Sequence, residues 1–290
     1  MADGILIVDK PAGWTSMDVC AKLRGILKER RVGHGGTLDP MATGVLPVFV
    51  GQATRAAEFA ENSQKEYMGG LRLGTVTDTQ DITGTVLEQR PVSLDREAVE
   101  AALSSFRGEI QQIPPMYSAV KIQGEKLYTL ARKGKEVERP PRSVTIYALE
   151  LLEQESETDY RFRCVCSKGT YIRTLCHDLG QVLGCGGTLY ALRRTMAAGF
   201  RDSEAVTLEA VQERGAALLR PLDSLFARYG ALKLSAAAER RVRCGNAVST
   251  AAADGTYRVY GQDGSFLCLS QARNGTLSSL KNFFGASASR

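Results

Sequence analysis

Histidine and tryptophan are almost missing from this chain: its 290 residues include two histidines, His34 and His177, and one tryptophan, Trp14. Two imidazoles cannot build a histidine-rich metal centre. Seven cysteines (Cys20, Cys164, Cys166, Cys176, Cys185, Cys244 and Cys268) are too scattered for a disulfide framework in a chain this long. Cys164-Val165-Cys166 lacks the two-residue spacer of a zinc site. Reduced, mostly buried thiols and no metal are therefore expected. Long apolar runs are missing too. None approaches the about 20 residues of a membrane-crossing helix, and no basic-then-apolar leader opens the chain. A cytoplasmic protein without membrane attachment follows as the expectation. Without exposed apolar heptads, a monomer is expected as well.

The charge that is present leans one way. Lys and Arg number 37 against 32 Asp and Glu, a formal net charge of +5. The cations cluster at Lys28/Arg30/Arg31, Arg132/Lys133/Lys135, Arg139/Arg142, Arg193/Arg194 and Arg240/Arg241/Arg243. Any one cluster fits a solvated face, but several with few acids between them suggest a surface that tracks phosphates.

Apolar spacing suggests the organisation. Gly4–Lys10 reads as a strand ended by Pro11 and Gly13. Ser16 can cap a helix to about Glu29, with Val19, Leu23, Ile26 and Leu27 on one face. Val45–Val50, Lys65–Leu73, Thr85–Gln89, Tyr117–Ile122, Val144–Leu152 and Tyr160–Cys166 read as strands. Ser93 is a candidate cap for a helix striped by Val99, Ala102, Leu103 and Phe106; Glu125–Arg132 reads as a short helix. Ile172, Leu175, Cys176, Leu179 and Leu183 stripe another. Isolated helices without regular βαβ spacing argue for an α+β fold with a mixed or antiparallel sheet. After a junction at Pro221–Gly230 the texture turns to Ala/Gly/Ser with short strands, Tyr257–Tyr260 and Ser265–Leu269, around Gln262-Asp263-Gly264. The expected division is a main domain over residues 1–225 and a small β-rich one over 231–290.

The stretch Gly33-His34-Gly35-Gly36-Thr37-Leu38-Asp39-Pro40-Met41-Ala42-Thr43-Gly44 carries the chemistry. Its glycines and proline forbid a regular helix and allow close backbone approach to a ligand. Asp39 is its only acid, and the apolar run Val45–Val50 follows at once. Two readings are open from spacing: a perturbed, reactive carboxylate in a tight loop, or a surface turn in which Asp39 bonds its own backbone.

This loop closely resembles the catalytic motif of the TruB family, the bacterial tRNA pseudouridine synthases that act on the T-loop uridine. The resemblance extends in order through Lys10–Ser16, Lys65–Gly70, Gln112–Lys121, Ser167–Arg173 and Ala191–Thr195, spanning residues 4 to about 200. It implies that Asp39 is the essential catalytic residue, that Tyr67 stacks on the target base and assists proton transfer, and that Tyr171 walls the site. Leu192 would pack against the base, and His34 would fill the space a flipped base vacates. For His34, an acid–base role and a loop-bracing hydrogen bond are the other readings. Lys10 joins the substrate side of the motif set, although it and Pro11 mainly support the catalytic loop. An RNA-contacting insertion is implied around residues 111–142 and a PUA-type RNA-binding domain at 231–290. One position departs: Gly35 stands where the family usually has Thr, which removes a hydroxyl and is expected to loosen the loop.

Isomerising uridine to pseudouridine breaks the N-glycosidic bond, turns the uracil and joins C5 to C1′. It involves no redox change or net group transfer, so no cofactor or metal is required. A carboxylate can serve as nucleophile or as base, and both routes stay open. Asp39 must stay ionised beside RNA, which calls for a fixed cation, and Arg173 is the candidate. Arg173 lies off its helix's apolar stripe, free to face a cleft. The implied partner is the T-arm stem-loop of tRNA. A tRNA-folding chaperone and a glycosidase are the competing classes; the second is disfavoured by the missing second carboxylate.

Overall fold

Ile5, Leu6, Ile7 and Val8 are all essentially inaccessible to solvent, although a strand turns successive side chains to opposite faces. Both faces of this strand must therefore be covered. The computed structural model, which describes residues 2–122 and 124–284, shows how. Leu6 and Val8 join a core with Val19 and Leu23 of the helix Ser16–Leu27, Val99 and Leu103 of Arg96–Ser105, and Leu175 and Leu179 of Ile172–Val182. Ile5 and Ile7 face the other way, into a cluster with Phe49, Phe226, Leu269 and Phe283. Each such side chain contributes roughly 1.5–3 kcal/mol on burial.

The main sheet runs Gly4–Lys10, Thr43–Val50, Gly187–Ala197, Lys65–Leu73, Asp159–Cys166, Arg142–Gln154, Gly108–Gln112, with Val32–His34 and Phe200–Arg201 paired at the side. Every pairing is antiparallel except Thr43–Gly44 with Arg193–Arg194. The expected α+β class with a mixed sheet is what forms. A second sheet holds Gly230–Lys233, Gly255–Tyr260, Phe266–Arg273, Thr276–Asn282 and Val248–Ser249. Its Phe266, and Phe283 just after Thr276–Asn282, pack on Phe226 of the Ile5/Ile7 cluster, which meets Phe59 edge-on at 5.1 Å.

Several local expectations are corrected. Thr15, not Ser16, caps the first helix: its hydroxyl accepts from Asp18 N while Asp18 Oδ2 accepts from Thr15 N, a reciprocal capping box. The helix stops at Leu27 because Lys28 adopts a left-handed conformation, φ 51°. Asp95 rather than Ser93 caps the second helix. Only Lys121–Ile122 of the expected strand Tyr117–Ile122 pairs, with Glu125–Lys126, so the following helix starts at Leu127. Gly187–Ala197 is an interior strand between Thr43–Val50 and Lys65–Leu73, in a stretch to which the apolar spacing assigns no element. Of the described cysteines, all are free and only Cys244 is exposed. Among the described residues no helix is long and apolar enough to cross a membrane.

Candidate active site

The Asp39 loop is held from beneath by three buried side chains. Ser16 gives up capping for this purpose: its hydroxyl accepts from Leu38 N at 2.8 Å and donates to Leu38 O at 3.2 Å. Lys10 is fully buried. Its ammonium donates to the carbonyls of Pro11, Trp14 and Pro40 at 2.9, 2.7 and 3.2 Å, using all three of its hydrogens. Burial pushes Lys10 down to about 8, partly offset by Asp39. Lys10 thus has no face or donor left for substrate, and its place is the supporting one.

Arg194 is the third support. It is 1% exposed, and its guanidinium donates to Val45 O at 2.7 Å, Gly36 O at 3.1 Å and Thr37 O at 3.4 Å. Backbone contact is so close where the parallel strands meet that a Cβ on Gly44 would lie 2.2 Å from Arg194 O. Only glycine tolerates that approach together with Gly44's φ of 97°. Lys65 lies beside Arg194 under Gly36, donating to Glu61 O and Ser63 O.

Asp39 itself meets Arg173 side-on. Arg173 Nε donates to Oδ2 at 2.9 Å and Nη2 to Oδ1 at 3.0 Å, the two-pronged geometry that suits guanidinium and carboxylate. Arg173 is buried at 4% exposure rather than open to a cleft. Nη2 also donates to Tyr117 O and Nη1 to Thr79 O, and Nη1 stands 3.6 Å from Asp81 Oδ2. Asp81 is locked in turn by the Thr79 and Thr83 hydroxyls and Thr83 N. A fixed cation therefore bridges an accessible carboxylate and a buried one.

Of the remaining predicted residues, Tyr67 and Tyr171 both feel the charge of Asp39. Tyr67 is buried opposite Arg194 and Cys164 in the sheet. Burial pushes its phenol up to about 12, with Asp39 a further upward influence and Arg194 a downward one. Tyr171 opens the Arg173 helix, clamped by Gln112, which accepts from its N and donates to its O. Burial likewise raises the Tyr171 phenol. Leu192 sits opposite Gly69 on the Tyr67 face, 8% exposed. His34 pairs with Val48 at the start of the loop. Burial, then Arg194, holds its imidazole below the ordinary value, so it is neutral at neutral pH. Buried His34 Nδ1 finds no partner among the described residues. A cleft of about 640 Å³ lined by Met41, Thr43, Gly69, Ile82 and Leu192 among others opens beside the loop.

Two expectations change here. Gly35 does not loosen the loop: a Cβ there would meet Ala60 Cβ at 2.5 Å and Phe49 Cε2 at 2.9 Å, so its space is already filled. Arg193/Arg194 is not a free phosphate-tracking cluster. Arg194 is spent on the loop, and Arg193 pairs two-pronged with Asp9 at 3.0 and 3.1 Å and lies 3.7 Å from Asp202. Sequence reasoning missed Arg194, Asp81, Ser16 and Gln112. Ser16, Gln112 and Arg194 lie inside the matching stretches without a role in the site assigned to them, and Asp81 lies outside, signalled only by the turn-forming Asp78-Thr79-Gln80-Asp81-Ile82-Thr83-Gly84.

Residues 24–172 match the family described as TruB family pseudouridylate synthase (N terminal domain), which defines the class as pseudouridine synthase. Residues 173–227 match the tRNA pseudouridylate synthase B C-terminal domain, and 230–280 match Pseudouridine synthase II TruB, C-terminal. The tRNA pseudouridine synthase B of Azoarcus sp. is 48% identical over 241 residues, 82% of this chain and 80% of that protein. That of Clostridium kluyveri is 42% identical over 272 residues, covering 91% and 94%. Among solved structures, a crystal structure of a Cbf5–Nop10–Gar1 complex is similar at TM-score 0.74 and 26% identity, over 97% of this chain and 85% of that one. The chain belongs to the TruB family.

Proposed function

We propose that the chain converts the T-loop uridine at position 55 of tRNA to pseudouridine. The observation that carries this reading is the Asp39–Arg173 pair, with a third of the Asp39 side chain accessible and its partner immobile. A stacked uridine must leave its loop before Asp39 can reach it. Neutral His34 suits the space so vacated better than it suits proton donation. The face of Tyr67 holds the uracil without hydrogen-bond constraint, which lets the ring turn. Leu192 and Tyr171 complete the walls. The N1–C1′ bond breaks and C5–C1′ forms; C5 loses a proton and N1 gains one, so substrate and product are isomers and nothing else is consumed. Arg173 orients the Asp39 carboxylate for attack or for base catalysis through its two hydrogen bonds, and the Tyr67 phenol, raised to about 12, is a proton donor rather than a base.

Residues 1–225 form the catalytic domain in this reading, with an RNA-contacting insertion at about 111–142. Arg132, Lys133, Lys135 and Arg142 are exposed there; Gln123 lies outside the described residues. Residues 231–290 serve as a PUA-like RNA-binding domain, with 285–290 outside the described residues. The enzyme works as a cytoplasmic monomer on the T-arm, without cofactor or metal. Pseudouridine mapping of an unmodified tRNA transcript tests the proposal. One new pseudouridine in the T-loop is expected, whereas free uracil or an unmodified, tightly bound tRNA would overturn it.

A further inference from the structure

Trp14, the chain's single tryptophan, is 36% exposed, and Met17 nearby is 53% exposed. Isolated exposed apolar residues are ordinary, but this one is held in an unusual place. Its turn is pinned to the catalytic loop: Gly13 N donates to Pro40 O at 2.8 Å. The Lys10 ammonium that holds Trp14 O at 2.7 Å also holds Pro40 O at 3.2 Å. The backbone of Trp14 and that of the residue after Asp39 therefore share one buried anchor. Ala12, from the same turn, lines the cleft together with Met41. An exposed indole whose backbone is anchored together with that of Pro40, the residue after Asp39, offers a π-face at little entropic cost.

We propose that Trp14 is a stacking platform for an unpaired nucleobase of the RNA substrate adjacent to the flipped uridine. This rests on the function proposed above. Once the target leaves the stack, its neighbours lose a partner on one face. Aromatic side chains capture such faces without reading their identity. Trp14 therefore acts in binding and positioning and takes no part in bond breaking.

The single tryptophan makes its own probe. Titrating the full-length protein with unmodified tRNA transcript is expected to quench Trp14 fluorescence saturably, while pseudouridine formation is followed in the same samples. Trp14→Ala is expected to raise KM by roughly 5- to 150-fold, the range for one stacked base, with kcat at saturating tRNA little changed. Trp14→Phe should recover most of the loss, and Trp14→Leu little, because it supplies bulk without a π-face. Unchanged fluorescence at saturation, a wild-type KM for Trp14→Ala, or full recovery by Trp14→Leu would each overturn stacking. If wild type binds tRNA and makes no pseudouridine, it is the functional proposal that fails, and the quenching and Trp14→Ala binding still judge the contact.

Discussion

Arg173 and Asp39 meet side-on, with both carboxylate oxygens engaged at 2.9 and 3.0 Å by the Nε–Nη2 edge of one guanidinium. Because Arg173 also serves Tyr117 O, Thr79 O and Asp81, its donors have no slack to follow a substrate. Asp39→Asn is expected to cut pseudouridine formation by roughly 10⁴-fold or more while tRNA binding persists, measured by product mapping beside filter retention. Detectable wild-type turnover in that variant would remove Asp39 from the chemistry.

A lysine cannot span the same four partners. Arg173→Lys should lose about 10²-fold or more in single-turnover rate. Arg173→Met should in addition lose about 3–5 kcal/mol of stability, since it leaves Asp81 buried without its cation. Denaturant melts of the two variants, compared with their rates, separate the contributions. Equal stability of Arg173→Met and wild type would show that the Asp81 pair contributes nothing to folding.

Restoring the common threonine at Gly35 should harm this chain. With Ala60 and Phe49 already in the space, Gly35→Thr is expected to cost about 1–3 kcal/mol by overpacking and to lower activity. Ala60→Gly in the same protein should return part of both losses, by thermal melts and initial rates. A stabilised Gly35→Thr would mean the helix carrying Ala60 yields easily.

Tyr67 yields a pH prediction with a definite sign. Its phenol is pushed from an ordinary value near 10 up to about 12 in the folded protein. The unfolded chain therefore releases this proton first, and the stability linked to Tyr67 is full below pH 10 and lost as pH climbs toward 12. Wild type should lose stability relative to Tyr67→Phe across that interval and at no lower pH. Parallel denaturant melts at pH 9, 10 and 11 would check it; parallel curves throughout would contradict the burial argument.

Phe226 joins the two sheets, packed at 5.1 Å from Phe59 and 5.7 Å from Phe283. Phe226→Ala is expected to cost about 3–5 kcal/mol. Because Phe49 of the same cluster abuts Gly35, the loss should reach the catalytic loop and appear in the rate as well as in the melting temperature.

Local chemistry was legible wherever neighbours in sequence decide the outcome. The run Gly4–Lys10, the alternation of Tyr160–Cys166 and the stripe of the Arg173 helix all follow from period and burial. Gly187–Ala197 escaped notice because register shifts at Tyr190 and Thr195 interrupt its alternation, and adjacent arginines look like surface. Thr15 and Ser16 are chemically equivalent caps. Which one caps was settled by Leu38, 22 residues away, claiming Ser16.

By itself, then, the sequence determined most of the element types, the loop with its single acid, and the resemblance that singled out Asp39, Arg173, Tyr67 and His34. These depend on residue identity and short spacing. Only the tertiary structure decided that Arg194 is a buried support, which carbonyls Lys10 holds, that Asp81 backs Arg173, and that Gly35 has no vacancy beside it. Each of those rests on side chains distant in sequence competing for the same donors, carbonyls and volume, and desolvation favours the arrangement that partners them. No local pattern encodes which partner that is.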